Sequence, residues 1–298
     1  MTQQTTLIDG LAFSEGPRWR EGEFWFSDIH GGQVHRVTLD ESRPALGVKS
    51  DTIVADFEDS PSGLGWLPDG SLLVVAMESG RLLKVDASGT VSQHADCSGL
   101  ARGSLNDMIV RADGTAYVGD MGARIFDEHP DHSVPGQTLM VTPGGEVSCA
   151  ADDLGAPNGH ILTPDEQILY IGESARGRIT AFDVAADGTL SGQRIFADLP
   201  PAEGFRISPP DGICLDAEGA IWSADPVAKR LIRVRPGGEI MQTVEFDGAT
   251  VVAAALGGAD RRTLLACVTD DWRREGATTR RRAKIVAVAV DVPGAGKP

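Results

Sequence analysis

The chain has 298 residues, 41% of them hydrophobic and only 5% aromatic, with 36 glycines, 17 prolines and a formal net charge of −16. That acidity, with no array of stacking aromatics, argues against a nucleic-acid surface. No stretch approaches the roughly 20 apolar residues that cross a bilayer. The opening MTQQTTLIDGLAFSEG lacks the basic and apolar runs of a secretory signal. A cytoplasmic protein with no nucleic-acid or membrane partner is therefore expected. Cys97, Cys149, Cys214 and Cys267 lie far apart without paired spacing and read as small buried hydrophobes.

In chain order, the segments SEGPRW, PSGLGW, LNDMIV, PNGHIL, PDGICL and GATVVA can be laid over one another. Most are followed, at a nearly constant offset, by a turn such as Asp-Gly or Glu-Gly and an apolar strand: WREGEFWFSD, WLPDGSLLVVA, VRADGTAYVGD, LTPDEQILYIGE and LDAEGAIWSAD. SGRLLKVDASGTV, RGRITAFDVAADGTL and AKRLIRVRPGGEI then read as outer hairpins. Units of about 40–50 strand-rich residues mark a propeller. The expected fold is all-β: one domain over residues 1–298, a six-bladed β-propeller with a metal in its central channel. TTLIDGLAF is expected to close the ring beside AKIVAVAVDV, covering an exposed edge. Residues 122–136 and 199–209 break the regularity and are expected as loops near the channel mouth, where specificity commonly resides.

One column of the superposed segments holds Glu15, Ser62, Asn106, Asn158, Asp211 and Ala249. Taken singly, Asn158-Gly159 and Asp211-Gly212 read equally as tight turns. Taken together, equivalent positions of a propeller converge on one channel, so Glu, Asp and two Asn become a ring of oxygen donors. Such a set suits a hard divalent cation and differs from a Cys/His zinc site. Calcium comes first, with magnesium, manganese and zinc as alternatives. An open metal site favours hydrolysis of a carbonyl or phosphoryl ester, and Asp211 is the candidate general base. His160, two residues past Asn158, is a candidate channel-lining residue, with a core-facing ring as the alternative. Asp28, Asp120, Glu173 and Asp225 recur at the ends of second strands and are expected to accept backbone amides of the neighbouring blade, with a role in orienting metal ligands as the alternative. No GxSxG, HExxH or phosphate-cradling loop occurs.

FSEGPRW, PNGHILTPDEQILYIGE and PDGICLDAEGAIWSADP, in this order and spacing, resemble the senescence marker protein/gluconolactonase/regucalcin-like family. The resemblance covers nearly the whole chain. It implies a six-bladed propeller, a channel metal and lactone hydrolysis. It also implies Glu15, Asn158 and Asp211 as metal ligands, Asp211 as base, and Asn106 as a contact to substrate or metal. Two positions depart from the sugar-lactonase pattern. Ser104 stands where an arginine is usual, and Arg124 stands where a substrate-side acid is usual, which favours a carboxylated or less hydroxylated lactone. The expectation is thus a metal-dependent lactonase acting on a small molecule, as a monomer or small homo-oligomer. Asp211 is catalytic; Glu15, Asn158 and Asp211 hold the metal; Asn106, Arg124, Ser104 and His160 meet substrate. The rivals are an organophosphate or activated-ester hydrolase on the same metal, and a non-enzymatic calcium-binding propeller.

Overall fold

The computed structural model describes residues 3–42, 46–131, 133–246 and 248–297. Among these, twenty-four strands form six four-stranded antiparallel sheets. Five sheets take four consecutive strands each. Their first strands are Ser14–Arg20, Pro61–Trp66, Leu105–Val110, Pro157–Leu162 and Ile213–Leu215, which head blades 1 to 5. Blade 6 begins at Thr250–Gly257. The six heading strands touch one another in order, and the sixth touches the first, so the sheets close into a ring. The propeller reading of the repeats is borne out.

Turn chemistry explains why each repeat folds back as it does. Glu21 and Gly22 carry φ of 52° and 81°, the two positive values that a tight hairpin between twisted strands requires. Between blades, apolar faces stack. Cys214, Trp222, Leu231 and Val244 of blade 5 pack with Val251, Leu264, Ala266 and Val288 of blade 6, all fully or almost fully buried. The chain's first strand, Gln4–Leu11, becomes the outer strand of blade 6, paired along Ala283–Ala289 from Gln4↔Val288 to Leu11↔Ala283. The N-terminal segment thus covers the edge it was expected to cover.

Three expectations need correction. Ala249 lies just before blade 6's heading strand. Pairing places Thr250 opposite Thr269, as Ser14 is opposite Asp28 and Pro157 opposite Glu173, so the column step falls on Val251. The superposition slipped by two residues because blade 6 carries no polar marker at that step. Cys149 is exposed on the outer strand Val147–Leu154, whereas the other three cysteines are buried. A third insertion between Thr263–Thr269 and Ala283–Ala289 carries a short helix, Arg274–Arg280, that buries only Ala277. Seven mostly polar residues offer no apolar period to detect. His132 lies outside the described residues. Among the described residues, no helix is long and apolar enough to cross a membrane.

The recurring acids mostly accept backbone amides as expected, but from the segment leading into their own blade and not from the neighbouring one. Asp28 accepts the amides of Ala12, Phe13 and Gly31, the shortest at 2.7 Å. Asp120 accepts those of Arg102, Gly103 and Gly122, and Glu173 that of Gly155. Asp225 instead takes the Ser208 hydroxyl, the Ala228 amide and Arg230. Each clamps the segment entering its blade, which sets where the heading strand starts. Asp28→Ala should therefore lower unfolding free energy by about 2–4 kcal/mol, since several buried donors lose a charged acceptor at once. Urea denaturation checks this: a shift below about 0.5 kcal/mol would show that the carboxylate is dispensable.

Candidate active site

Close approach of the heading strands assembles the site. A Cβ on Gly159 would lie 2.6 Å from the Ile213 nitrogen, and one on Gly212 2.4 Å from the Ala253 Cβ. Only glycine lets these backbones meet, and they bond directly: the Gly159 amide to Asp211 O at 3.2 Å and the Gly212 amide to Val252 O at 2.8 Å. The residue before each of these glycines is Asn158 or Asp211. Blade 3 differs, because Asp107 follows Asn106 in place of a glycine. The Asp107 carboxylate fills the gap, accepting the His160 amide at 2.9 Å and reaching across to Arg18 Nη2 at 2.6 Å. Arg18 is itself buried, donating to the carbonyls of Pro17 at 2.9 Å, Leu64 at 3.0 Å and Met108 at 2.5 Å.

Glu15, Asn158 and Asp211 converge around this bridge. The Asn158 side chain hydrogen-bonds the Asp211 carboxylate, and a Glu15 oxygen accepts the Gly16 amide. Glu15, Asn106 and Asn158 are buried, while Asp211 stays partly accessible. Burial, then the nearby Asp211 and Asp107, pushes the Glu15 carboxyl well above its usual range, against the opposing Gly16 amide and Arg18. Burial foremost, with Asp107 adding, lifts Asp211 to about 7 despite its bond from Asn158. Three carboxylates thus share one guanidinium, leaving two negative charges uncompensated when all are ionised. No cluster of three or more His, Cys, Asp or Glu side chains among the described residues is arranged for a metal. The amide oxygen of Asn158 must therefore complete any ligand set. Two carboxylates and an amide with a surplus of two charges fit a hard divalent cation. A void of about 10 Å³ bounded by Glu15, Arg18, Asp107 and Asn158 has room for one water-sized occupant.

Around this centre, Asn106 accepts the Ser62 hydroxyl at 3.0 Å and donates to the Met121 sulfur at 3.7 Å. Ser104 is buried and donates to Glu78 Oε1 at 3.1 Å, and its oxygen accepts the Ile125 amide. The other Glu78 oxygen accepts Arg124 Nη2 at 2.8 Å, with Asp127 farther off at 3.7 Å. Arg124 is half exposed and joined to blade 2 through Glu78. His160, expected to meet substrate, is instead completely buried between blades. Its Nδ1 faces Asn158 O at 2.6 Å and its Nε2 faces Thr138 Oγ1 at 3.1 Å, and burial lowers its basicity. On the same side, the His30 ring lies between Phe13 and Phe126, and its Nε2 meets Trp272 O at 2.9 Å. The loop from blade 3 and the insertion of blade 6 thereby meet over blade 1. Arg18, Asp107 and Glu78 were missed as site residues.

A family model described as the SMP-30/Gluconolactonase/LRE-like region matches residues 13–269. The chain belongs to this family. A 6-deoxy-6-sulfogluconolactonase of Pseudomonas putida is 25% identical to this SMP-30/gluconolactonase-family protein, over 95% of this chain and 93% of its own. A pentonolactonase of Haloferax volcanii is 24% identical over 100% of this chain and 97% of its own. A solved structure of a calcium-binding regucalcin from Agrobacterium tumefaciens has the same fold. Its TM-score is 0.77 at 23% identity, covering 98% of this chain and 96% of that one.

The charge arrangement has a sign that can be measured. Asp211 is raised from 3.8 to about 7, so the stability that its protonated form lends is complete below 3.8 and lost as pH rises through about 7. A cation at this site competes with that proton. Calcium should thus raise the melting temperature more at pH 8 than at pH 5.5, and its affinity should fall about tenfold per pH unit below 7. Calorimetric titration across this range is the check; a flat affinity profile would place the cation away from Asp211.

Proposed function

We propose that this protein hydrolyses a lactone in the channel, with one divalent cation held by Glu15, Asn158 and Asp211. The observation that carries the reading is the convergence of the Glu15 and Asp211 carboxylates and the Asn158 amide beside Asp107, with one guanidinium, Arg18, among the three carboxylates and Asp211 partly accessible. Lactonase names among relatives that span over nine-tenths of the chain support the same chemistry. The bound cation would supply a Lewis acid for the lactone carbonyl oxygen.

The chain's own residues do the remainder. Asp211 accepts a proton from the water that attacks the carbonyl carbon. The ring C–O bond then breaks, its oxygen takes a proton, and a hydroxy acid leaves. Asn106 faces the same space with an amide whose nitrogen is held only by a weak bond to sulfur, so it can turn toward a ring or hydroxyl oxygen. Arg124 would receive a carbonyl or carboxylate at the mouth, with Glu78 and Ser104 fixing its position. The substrate class is a small hydroxylated or acidic lactone. Calcium is the proposed ion, and the cytoplasm the proposed location.

Proton release with a panel of aldonolactones, with and without chelator, tests the reading; no turnover on any of them with metal present would overturn it. Asp211→Asn should lower kcat by about 10²–10⁴-fold while calcium binding persists, because the amide keeps an oxygen donor but accepts no proton. Near-full activity in a calcium-loaded variant would move the base elsewhere. Arg124→Ala should raise KM about tenfold with calcium affinity unchanged, the loss being moderated by its exposure and its existing pair with Glu78. An unchanged KM across neutral and carboxylated lactones would leave Arg124 a loop fastener only.

A further inference from the structure

Exposed apolar bulk is unevenly spread over the ring. Leu100, Val134, Phe205, Ile207, Val227 and Trp272 lie on connections at the mouth face, whereas Ile53, Val91, Ile195 and Met241 sit singly on outer strands. Val134 borders a cavity of about 340 Å³ on the seam between blades 3 and 4, within the range of small-ligand pockets. Met121, Val134 and Pro135 of the blade 3 loop form one wall, and Ala156 and Ala175 at the start and first turn of blade 4 form the other. Val134, Pro135 and Ala175 are exposed.

The charged side chains at this cavity are matched. Arg176 Nη2 donates to Asp153 Oδ1 at 2.8 Å, and its Nη1 donates to Asp153 O at 2.6 Å and Glu173 Oε2 at 3.0 Å. The Arg176 stem lies on Gly155, where a Cβ would stand 2.4 Å from Cγ. Methylenes and backbone therefore face the space, which offers little to an ion and much to a hydrocarbon. The connection beneath is held in an unusual shape, with φ of 51° at Asp153 and 53° at Ala156. Residues other than glycine rarely adopt such values, and they cluster where surroundings impose them for function.

Met121 joins this cavity to the channel. Its sulfur accepts the Asn106 amide nitrogen at 3.7 Å, and its backbone amide donates to Ser104 O at 3.0 Å. The same side chain is a wall of the cavity, so one adaptable thioether divides the two spaces. Arg124 leans the other way, toward Glu78 of blade 2. A ligand on Asn106 thus meets a polar flank toward blade 2 and an apolar flank toward blade 4.

We propose that the cavity between blades 3 and 4 receives an apolar substituent of the lactone, a short alkyl chain that enters past Met121. The inference rests on the lactonase reading of the channel and gives the ring of that reading a hydrocarbon arm.

The test uses pyrrolidinone and its butyl-substituted form, with the butyl group on the carbon beside nitrogen. These lactams keep the ring carbonyl and resist opening, so they report binding alone. In calorimetric titration of the calcium-loaded protein, the butyl lactam should bind at least about tenfold more tightly, since each buried methylene is worth roughly a threefold to fourfold gain. Ala175→Trp, which fills the cavity from an exposed turn, should bring the two lactams within about twofold of each other, with turnover of unsubstituted butyrolactone unchanged. Val134→Asp should do the same by setting a carboxylate against the chain. Equal binding of the two lactams by the wild type, binding of neither, or a preference that survives both substitutions would each overturn the proposal. A butyl preference lost in the variants, without turnover of any lactone, would support the subsite and refute the hydrolase reading. Turnover of butyrolactone without a butyl preference would do the reverse.

Discussion

The buried pair of Arg18 and Asp107 is the interaction on which the channel depends. It joins blade 1 to blade 3 across the axis, and through the second Asp107 oxygen it holds the start of blade 4. An ion pair removed from water is costly unless its remaining donors and acceptors are satisfied. Here the guanidinium also meets three carbonyls, so the arrangement is self-consistent. Its single positive charge sits beneath Glu15 and Asp211 without neutralising both. The same pair therefore braces the ring and leaves the centre short of positive charge.

Rigidity and incomplete compensation reinforce each other in this design. The glycines beside Glu15, Asn158 and Asp211 let neighbouring backbones touch, so the Glu15 and Asp211 carboxylates cannot drift apart to relieve their repulsion. A carboxylate in such a position must either take a proton or meet a cation. The mouth, by contrast, is built from long connections bridged by side chains: Glu78 with Arg124, and His30 with Phe126 and the Trp272 carbonyl. A fixed centre under a rim of long connections lets the rim vary without disturbing the centre.

Much of this was legible in the residues, because repetition projects a one-dimensional register onto a ring. Five of the six column positions, the clamp acids and the closing strand all follow from pattern. What escaped did so for physical reasons. Val251 lacks polarity, so nothing anchored the sixth repeat. His160 follows a column residue by two, yet the bulge after Pro157 turns its ring into the gap between blades. Asp107 did leave a signal. SEG, PSG, PNG and PDG each place glycine after the column residue, and LND alone places a carboxylate there. Its partner Arg18 lies 89 positions away, a pairing that only the closed ring reveals. Glu78 belongs to a repeat whose column residue is serine, so no ligand chemistry drew attention to that blade.

The seam of the ring has a bearing on how the molecule comes into being. Gln4 finds its partner at Val288, nearly the whole length of the chain later. During synthesis, this strand leaves the ribosome long before its partner and must wait, unpaired, while five blades form behind it. Contacts of such sequence separation are slow to make, and an idle strand edge is an invitation to other chains. The exposed, polar character of much of Gln4–Leu11, with only Leu11 buried even in the finished ring, keeps that waiting strand a poor template for aggregation.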